Sequence, residues 1–354
     1  MEAMVTPLER FGNYAGRTVL VTGHTGFKGS WLCLWLNRLG ARVAGYSDSV
    51  PTAPSHFESL GLDIDDRRGD ICDPASLDAA ISEIRPDVIF HFAAQSLVRQ
   101  AYADPMATYR ANVLGTLAVL QSAQRNGVGS VIVATTDKVY RNDESGRRYR
   151  EEDELGGSDP YSASKSCTEL MTKSFADSFL NDGRTLVATV RAGNVIGGGD
   201  WAADRLFPDL MRAAFNGQKA LIRNPQSTRP WQHVLDVLAG YLQIGARLID
   251  EDRSAAEAWN LGPLSDASIT VGALIESIAA RIPTLQTDIQ PDDRGRHESG
   301  LLQLDSAKAV MNLGWTPRWE GQMVERTIDW YRAYYEDDRV ISNEQLDAYQ
   351  AALG

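Results

Sequence analysis

The stretch Thr18–Gly29, TVLVTGHTGFKG, determines which fold this chain adopts. Its first five residues form a β-rich, apolar run, and glycines follow at positions 23, 26 and 29. From Phe27 to Leu39 the apolar residues recur at helical spacing. Such glycines let the backbone turn tightly and approach a pyrophosphate, while the helix N-terminus faces the phosphates. The pattern predicts a dinucleotide-binding turn, with a purely structural strand–helix turn as the alternative; its residues are Gly23, Thr25, Gly26, Phe27, Lys28 and Gly29.

Strands and helices alternate along the first half of the chain. The largely apolar strands at Val88–Phe92 and Ser130–Ala134 are typical of a parallel sheet that is covered on both faces. After about residue 191 the alternation loosens. We therefore predict an α/β fold: a Rossmann-type doubly wound parallel sheet with a smaller mixed α/β C-terminal substrate lobe. The predicted boundaries are 1–190 plus about 229–262 for the dinucleotide-binding domain, and 191–228 with 263–354 for the substrate lobe.

The composition excludes several classes of partner. A net charge of -12 makes the chain a poor ligand for nucleic acid or an anionic membrane. No secretory signal is visible, and no segment approaches the roughly 20 apolar residues that a membrane span needs. The cysteines Cys33, Cys72 and Cys167 are widely spaced and lack the spacing of metal ligands. We expect a cytoplasmic protein with reduced thiols and no structural metal.

Acidic and small residues follow the other predicted strands, where an α/β sheet binds its ligands. Asp48 lies 19 residues beyond Gly29 and is placed to bind a ribose hydroxyl, which would favour NAD over NADP; a plain loop aspartate is equally consistent with its position. Asp70 and Ile71 end a third strand, where an acidic side chain meets adenine. Ala93 and Ala94 are small residues that would leave room for the dinucleotide. Gln95, beside them, is a candidate for contact with the substrate, and Asn112 would start or cap a supporting helix.

A tyrosine and a lysine near the start of a long helix are the catalytic candidates. Tyr161 and Lys165 are four residues apart and therefore share one helix face, and both are also candidates for binding the cofactor. A nearby ammonium lowers the pKa of a phenol, which would make Tyr161 a base for a sugar hydroxyl. Thr136, Asp137 and Lys138 follow the fifth strand, and an acid beside an amine is what removal of water requires and simple oxidation does not. A loop ion pair between Asp137 and Lys138 is the alternative.

Polar and basic residues downstream fit an anionic substrate. The glycine-rich segment that contains Asn194 follows the sixth strand and is suited to cradle a second pyrophosphate. Arginines in an acidic protein are suited to bind anions, although any one of them fits a surface ion pair equally well. The candidates for substrate binding in this part of the chain are Asn194, Arg205, Arg223, Arg229, Arg296 and His297.

At these residues the chain resembles the CDP-glucose 4,6-dehydratases, which are extended short-chain dehydrogenases, over nearly its whole length. The stretches that carry the resemblance are Val21–Leu32 (VTGHTGFKGSWL), His91–Arg99 (HFAAQSLVR), Asp159–Lys165 (DPYSASK), Arg191–Pro208 (RAGNVIGGGDWAADRLFP) and Arg229–Val234 (RPWQHV). The resemblance implies a tightly held NAD that is reduced and reoxidised in each turnover. It also implies that Tyr161 takes the proton of the C4 hydroxyl and that Asp137 and Lys138 support loss of water across C5 and C6. The substrate would be CDP-glucose and the product CDP-4-keto-6-deoxyglucose.

The sequence departs from this family at two places. Val139 stands where the family has cysteine, and the segment 294–299 is less similar although it would contact the nucleotide. A 4,6-dehydratase or 4-epimerase of a thymidine, uridine or guanosine sugar therefore remains an alternative, as does a non-catalytic dinucleotide-binding protein. Epimerases usually have small residues where this chain has Asp137 and Lys138. The resemblance further implies a homodimer, or a dimer of dimers, built on helices at about 102–126 and 160–180.

Overall fold

The computed structural model describes residues 11–180, 182–222, 224–265, 269–290 and 302–354. The strands are numbered in chain order and are β1 Thr18–Thr22, β2 Arg42–Ser47, β3 Asp65–Arg68, β4 Val88–His91, β5 Ser130–Ala134, β6 Arg148–Tyr149, β7 Leu186–Arg191, β8 Val195–Ile196, β9 Lys219–Ile222, β10 Thr228–Arg229, β11 Gln232–His233, β12 Ala258–Asn260, β13 Ile269–Thr270, β14 Gln286–Ile289 and β15 Gln303–Leu304. The α-helices are α1 Phe27–Arg38, α2 His56–Leu60, α3 Pro74–Ile84, α4 Val98–Ala103, α5 Pro105–Tyr109, α6 Thr116–Arg125, α7 Pro160–Phe179, α8 Leu206–Phe215, α9 Val234–Ile249, α10 Val271–Ala279, α11 Met323–Asp337 and α12 Ser342–Leu353.

Seven strands form one parallel sheet, which confirms the predicted fold class. Their order across the sheet is β12-β7-β5-β4-β1-β2-β3, and each neighbouring pair is parallel. The order reverses beside β1, between β4 and β2, and α/β sheets bind ligands at such a switch point. The exposed edge strand β3 reads Asp-Asp-Arg-Arg, and charges of this kind keep an open edge from pairing with other chains.

The alternating side chains of the strands fill two separate cores, one on each face of the sheet. Val19 and Phe90 pack with α1 and α9 on one face. Leu20 and Ile89, their neighbours in sequence, pack with α3, α6 and α7 on the other. Because successive side chains of a strand point to opposite faces, both faces must be covered by helices, as the apolar strands predict. The carboxyl ends of β1, β4, β5 and β7 consequently lie along one edge of the sheet.

The predicted helix at about 102–126 is wrong in one respect, because the structure interrupts it. Asp104 accepts a hydrogen bond from the backbone N–H of Ala107, and Pro105 occupies the first position of the new helix α5. A π-helical segment, Arg110–Gly115, then leads into α6. Proline lacks an N–H and its ring clashes with a preceding turn, so a new helix begins there.

Among the described residues, no helix is both long enough and apolar enough to cross a membrane.

Candidate active site

The glycine turn after β1 forms a cradle that only residues without a side chain allow. Gly23 has a φ of 73°, in the left-handed region that favours glycine. A Cβ atom on Gly23 would overlap the backbone of Ala93, and one on Gly29 would overlap the carbonyl of Gly23. Gly26 lies directly before α1 and contributes no side chain to its N-terminus. The residues present therefore fit the pyrophosphate of a dinucleotide, which would lie against the first turn of α1.

The acidic candidates at the ends of β2 and β3 are exposed at the rim of this cradle. Asp48 follows β2 and accepts a hydrogen bond from the hydroxyl of Ser49 at 3.1 Å. Asp70 follows β3 and accepts one from the backbone N–H of Cys72 at 2.8 Å, while Ile71 is buried. The hydroxyl of Thr25 is bonded to the carbonyl of Ser49 at 2.7 Å. The structure thus brings Asp48 and Thr25 to one end of the cradle, and their contacts to a cofactor remain predictions.

Asn112 does not start or cap a helix as predicted, because it lies buried inside the π-helical segment. Its side-chain amide donates to the carbonyl of Gln95 at 3.0 Å and to the hydroxyl of Ser164 at 2.9 Å. Its carbonyl oxygen accepts from the N–H of Gln95 at 2.9 Å. The amide of Gln95 donates to Thr108 at 2.9 Å. Asn112 thus links the loop Ala93–Gln95 to α7. The side chain of Gln95, predicted to contact the substrate, is hydrogen-bonded to the neighbouring Thr108.

Tyr161 stands in the first turn of α7, where the local sequence fixes its position. Asp159 accepts hydrogen bonds from the N–H groups of Tyr161 and Ser162 at 2.9 and 3.0 Å, and Pro160 occupies the first helical position. These are strong helix-starting signals. Burial raises the pKa of Tyr161 to about 12, opposed by a hydrogen bond with Thr136 and by the positive charge of Arg205. The expected net lowering of this pKa is therefore wrong, because burial outweighs the lowering by Thr136 and Arg205.

Lys165 lies one helical turn beyond Tyr161 and is buried. Its ammonium nitrogen donates to the carbonyl of Ala134, at the end of β5, at 2.9 Å. Burial lowers the pKa of Lys165 to about 7, the charge of Lys28 lowers it further, and the charge of Glu169 opposes both. Burial likewise lowers the pKa of Lys28 to about 8. Two lysines in one pocket thus carry charges that depend on pH near neutrality.

The residues after β5 place a carboxyl group in the cleft. Thr136 caps a 3₁₀ turn, Asp137–Val139, and its hydroxyl donates to the carboxylate of Asp137 at 2.9 Å. Asp137 is 3% exposed, whereas Lys138 is half-buried. A Cβ atom on Gly193 would overlap the carboxylate of Asp137. The absence of a side chain at Gly193 therefore makes room for a buried acid at the carboxyl edge of the sheet.

The basic candidates have different positions. Arg205 donates to the carboxylate of Asp200 at 2.9 Å and to the hydroxyl of Ser96 at 3.2 Å, and its charge influences both Tyr161 and Lys28. Asn194 has a φ of 51°, and Arg229 donates to the carbonyl of Thr228 at 2.9 Å. Arg205 thus reaches the catalytic cluster. Three further candidates, Arg223, Arg296 and His297, lie outside the described residues.

Sequence reasoning missed the acid that follows Lys165 on α7. Glu169 is 4% exposed and forms an ion pair with Arg191, between atoms 2.8 Å apart. The spacing offered a signal, because Tyr161, Lys165 and Glu169 recur every four residues and so share one helix face. The pairing with Arg191 joins residues that are 22 positions apart and has no local signal.

Comparison with known proteins places this geometry in a known group. The sequence profile of the NAD-dependent epimerase/dehydratase family matches residues 19–262. The chain is 43% identical over 350 residues to the CDP-glucose 4,6-dehydratase of Salmonella typhimurium, covering 96% of this chain and 98% of that one. Among solved structures, an epimerase from Methanothermobacter thermautotrophicus superposes with a TM-score of 0.80 at 27% identity, covering 93% of this chain and 96% of that one. The dTDP-glucose 4,6-dehydratase DesIV from Streptomyces venezuelae, solved with NAD bound, has a TM-score of 0.77 at 25% identity, with 91% and 100% covered.

Proposed function

The chain belongs to the NAD-dependent epimerase/dehydratase family, and on that premise we propose that it is a hydro-lyase that converts CDP-D-glucose to CDP-4-keto-6-deoxy-D-glucose. The cofactor is NAD, as the resemblance implies, and the cradle of Gly23, Gly26 and Gly29 fits its pyrophosphate. When bound, NAD would supply the acceptor, and later in the same turnover the donor, of a hydride. The extent of the similarity to the Salmonella enzyme, nearly end to end in both chains, supports the choice of substrate.

The buried acid Asp137 carries the proposal of a dehydration. Besides the hydride acceptor, oxidation at C4 needs only a base for the hydroxyl proton, and Tyr161, whose pKa Thr136 and Arg205 lower, is proposed for that role. Once C4 is a ketone, the C5 proton becomes acidic, and the C6 hydroxyl can leave if an acid protonates it. Asp137 lies beside Thr136 at 3% exposure and is the proposed acid. Lys138 follows directly and completes the pair that supports loss of water, in which Asp137 gives a proton to the C6 oxygen and Lys138 is the proposed acceptor of the C5 proton.

The nucleotide diphosphate is proposed to bind through arginines between the two lobes. For the lobes we propose the boundaries predicted from the sequence, 1–190 with about 229–262 for the dinucleotide-binding domain and 191–228 with 263–354 for the substrate lobe. A diphosphate needs local positive charge in a chain of net charge -12. Arg205 reaches the catalytic cluster, and Arg229 lies on the short strand β10.

We also propose a cytoplasmic location, because the three cysteines are free thiols.

The product identifies the reaction. Purified protein, NAD and CDP-glucose are expected to yield a nucleotide sugar that has lost one water, measured by mass spectrometry. An unchanged mass with an altered sugar configuration would show epimerisation instead. If CDP-glucose stays intact while a thymidine, uridine or guanosine sugar loses water, the proposed base is wrong. If NAD binds and every sugar stays intact, the proposed catalytic function is wrong.

We further propose a homodimer, or a dimer of dimers, built on α7 and on the segment from α4 to α6. Apolar side chains are exposed on both elements, at 38% to 78% of their area, and they are Tyr102, Met106, Leu114, Leu170 and Phe179. Large exposed apolar groups that lie on neighbouring helices are typical of a helix-bundle interface.

The variant Leu114→Glu/Leu170→Glu is expected to sediment as a monomer at micromolar concentration, because two charges would be buried without partners. Analytical ultracentrifugation of the wild type and the variant measures this. Met311→Glu is a matched control, since Met311 is 76% exposed on another part of the surface, and it is expected to keep the wild-type mass. A monomeric wild type would contradict the proposed dimer.

A further inference from the structure

A buried ion pair behind the catalytic residues lies at the centre of a connected hydrogen-bond network. Glu169 and Arg191 are each 4% exposed, and their side chains are joined at 2.8 Å. Burial of two charges removes their hydration, and the attraction between them offsets that loss only with good geometry and further hydrogen bonds. Both partners make further hydrogen bonds, although the buried Nε of Arg191 has no partner among the described residues. The surroundings of each partner show what the pair holds in place.

The carboxylate of Glu169 joins the ends of two neighbouring strands. The hydroxyl of Thr135, just after β5, donates to one carboxylate oxygen at 2.5 Å. The hydroxyl of Thr189, in β7, donates to the other at 2.8 Å. The N–H of Thr135 also donates to the carbonyl of Val190 at 2.9 Å. Glu169 therefore fixes α7 against both strands at the edge where the site is formed.

Arg191 extends the network to the far side of the cleft. Its guanidinium donates to the hydroxyl of Tyr140 at 2.8 Å and to the carbonyl of Glu151 at 2.9 Å. The hydroxyl of Tyr140 in turn donates to the side chain of Asn260, in β12, at 2.7 Å. The segment from Tyr140 to Glu151 follows Asp137 and Lys138 directly. The pair thus also anchors the loop that carries the proposed acid.

Two side chains of α7, one helical turn apart, form hydrogen bonds with the end of β5. Lys165 donates to the carbonyl of Ala134, and Glu169, one turn later, accepts from Thr135. Thr136, the next residue, interacts with Tyr161 and lowers the pKa of its phenol. A shift of this strand end along the helix would move the threonine, the tyrosine and the lysine relative to one another. Misplacement of reacting groups by about 1 Å costs on the order of 10²-fold in rate.

We propose that the Glu169–Arg191 pair is a positioning device for this active site, which holds the end of β5 against α7 between Lys165 and Glu169. The inference rests on the proposed dehydratase function. Neither residue is assigned a contact with the reacting atoms, and both act through Lys165, Thr135 and the loop beyond Asp137.

The charges around Lys165 give the pair a signature that packing alone would not produce. Lys28 faces Lys165 from α1, Glu169 from its own helix, and His91 from β4. Burial holds the pKa of His91 at about 3, so this histidine is neutral near pH 7. Glu169→Gln removes the anion and leaves the Arg191 cation, which lowers the pKa of Lys165. Arg191→Met leaves the anion unpaired, which raises it.

The test measures the pH dependence of turnover in Glu169→Gln, in Arg191→Met and in the double variant. If Lys165 is active as the ammonium ion, deprotonation of this ammonium limits activity at high pH. The high-pH limb is expected to move down by about one unit in Glu169→Gln, to move up in Arg191→Met, and to return towards the wild-type position in the double variant. We also expect kcat to fall roughly 10- to 100-fold in Glu169→Gln while KM stays within about 3-fold.

Two further readouts separate this inference from folding and from the proposed function. Asp177→Asn is the matched control, since Asp177 pairs with Lys173 on the exposed side of the same helix, and it is expected to leave the profile unchanged. The pH dependence of NAD affinity reports on Lys165 without any sugar and is expected to shift in the same directions. Limbs that coincide in all variants, or losses of kcat that only follow a lowered melting temperature, would overturn the positioning role. A wild type that dehydrates no sugar would overturn the proposed function, and NAD affinity would still decide the role of the pair.

Discussion

Replacement of Tyr161 by phenylalanine is expected to lower kcat by roughly 10² to 10⁴-fold, the usual contribution of one acid–base group. The ring keeps its packing at the start of α7, and only the hydroxyl is lost. Without that hydroxyl, the proposed base for the C4 hydroxyl proton is missing, so the first step of the reaction slows. Steady-state turnover of CDP-glucose measures the effect.

The same variant should bind its ligands normally. The hydrogen bonds that Asp159 accepts at the start of α7 come from backbone N–H groups and are unaffected by the substitution. We therefore expect the melting temperature and the affinity for NAD to stay near those of the wild type. Tyr334→Phe is a matched control, because the ring of Tyr334 packs on Trp201 and Trp330 and the substitution removes only its hydroxyl. We expect the turnover of this variant to be unchanged. Turnover near wild type in Tyr161→Phe would remove Tyr161 from the mechanism.

The fold could be predicted from the sequence because its signals are local. The strands Thr18–Thr22 and Ser130–Ala134 have the bounds in the structure that their patterns predict. Each is an apolar run or periodic segment that ends at glycine, proline or a capping residue. The cofactor and the family also followed from contiguous motifs around the glycine turn and Tyr161.

The electrostatics and the supporting contacts could not be predicted in the same way. The raised pKa of Tyr161 depends on how deeply the folded chain buries it, and spacing along a helix does not give that depth. Asn112 was expected to begin a helix, but a π-helical segment turns it toward Gln95 and Ser164. The network of Glu169 joins β5, β7 and α7, which are distant in sequence. Contacts of this kind are set by the topology of the sheet and become visible only once the strand order is known.

Replacement of Asp137 by asparagine is expected to stop the reaction after its first half. An amide cannot protonate the leaving C6 hydroxyl, whereas oxidation at C4 does not require Asp137. The negative charge of Asp137 also raises the pKa of Tyr161, so its removal makes the phenol easier to ionise. We expect overall turnover to fall by about 10²-fold or more, while the rate of the first oxidation changes by less than about 10-fold.

Stopped-flow absorbance and rapid-quench product analysis measure the two halves separately. The amide introduced by Asp137→Asn retains an oxygen that can accept from Thr136, so the local turn should persist, and an unchanged melting temperature would show that it does. The expected result is a reduced cofactor that accumulates in the first turnover, together with a sugar that is oxidised at C4 and still carries its C6 hydroxyl. If NAD and CDP-glucose bind and no reduced cofactor forms, Asp137 acts in the oxidation step. In that case the acid at C6 must be sought elsewhere, first at Lys138, which lies beside it and is half-buried in the same cleft.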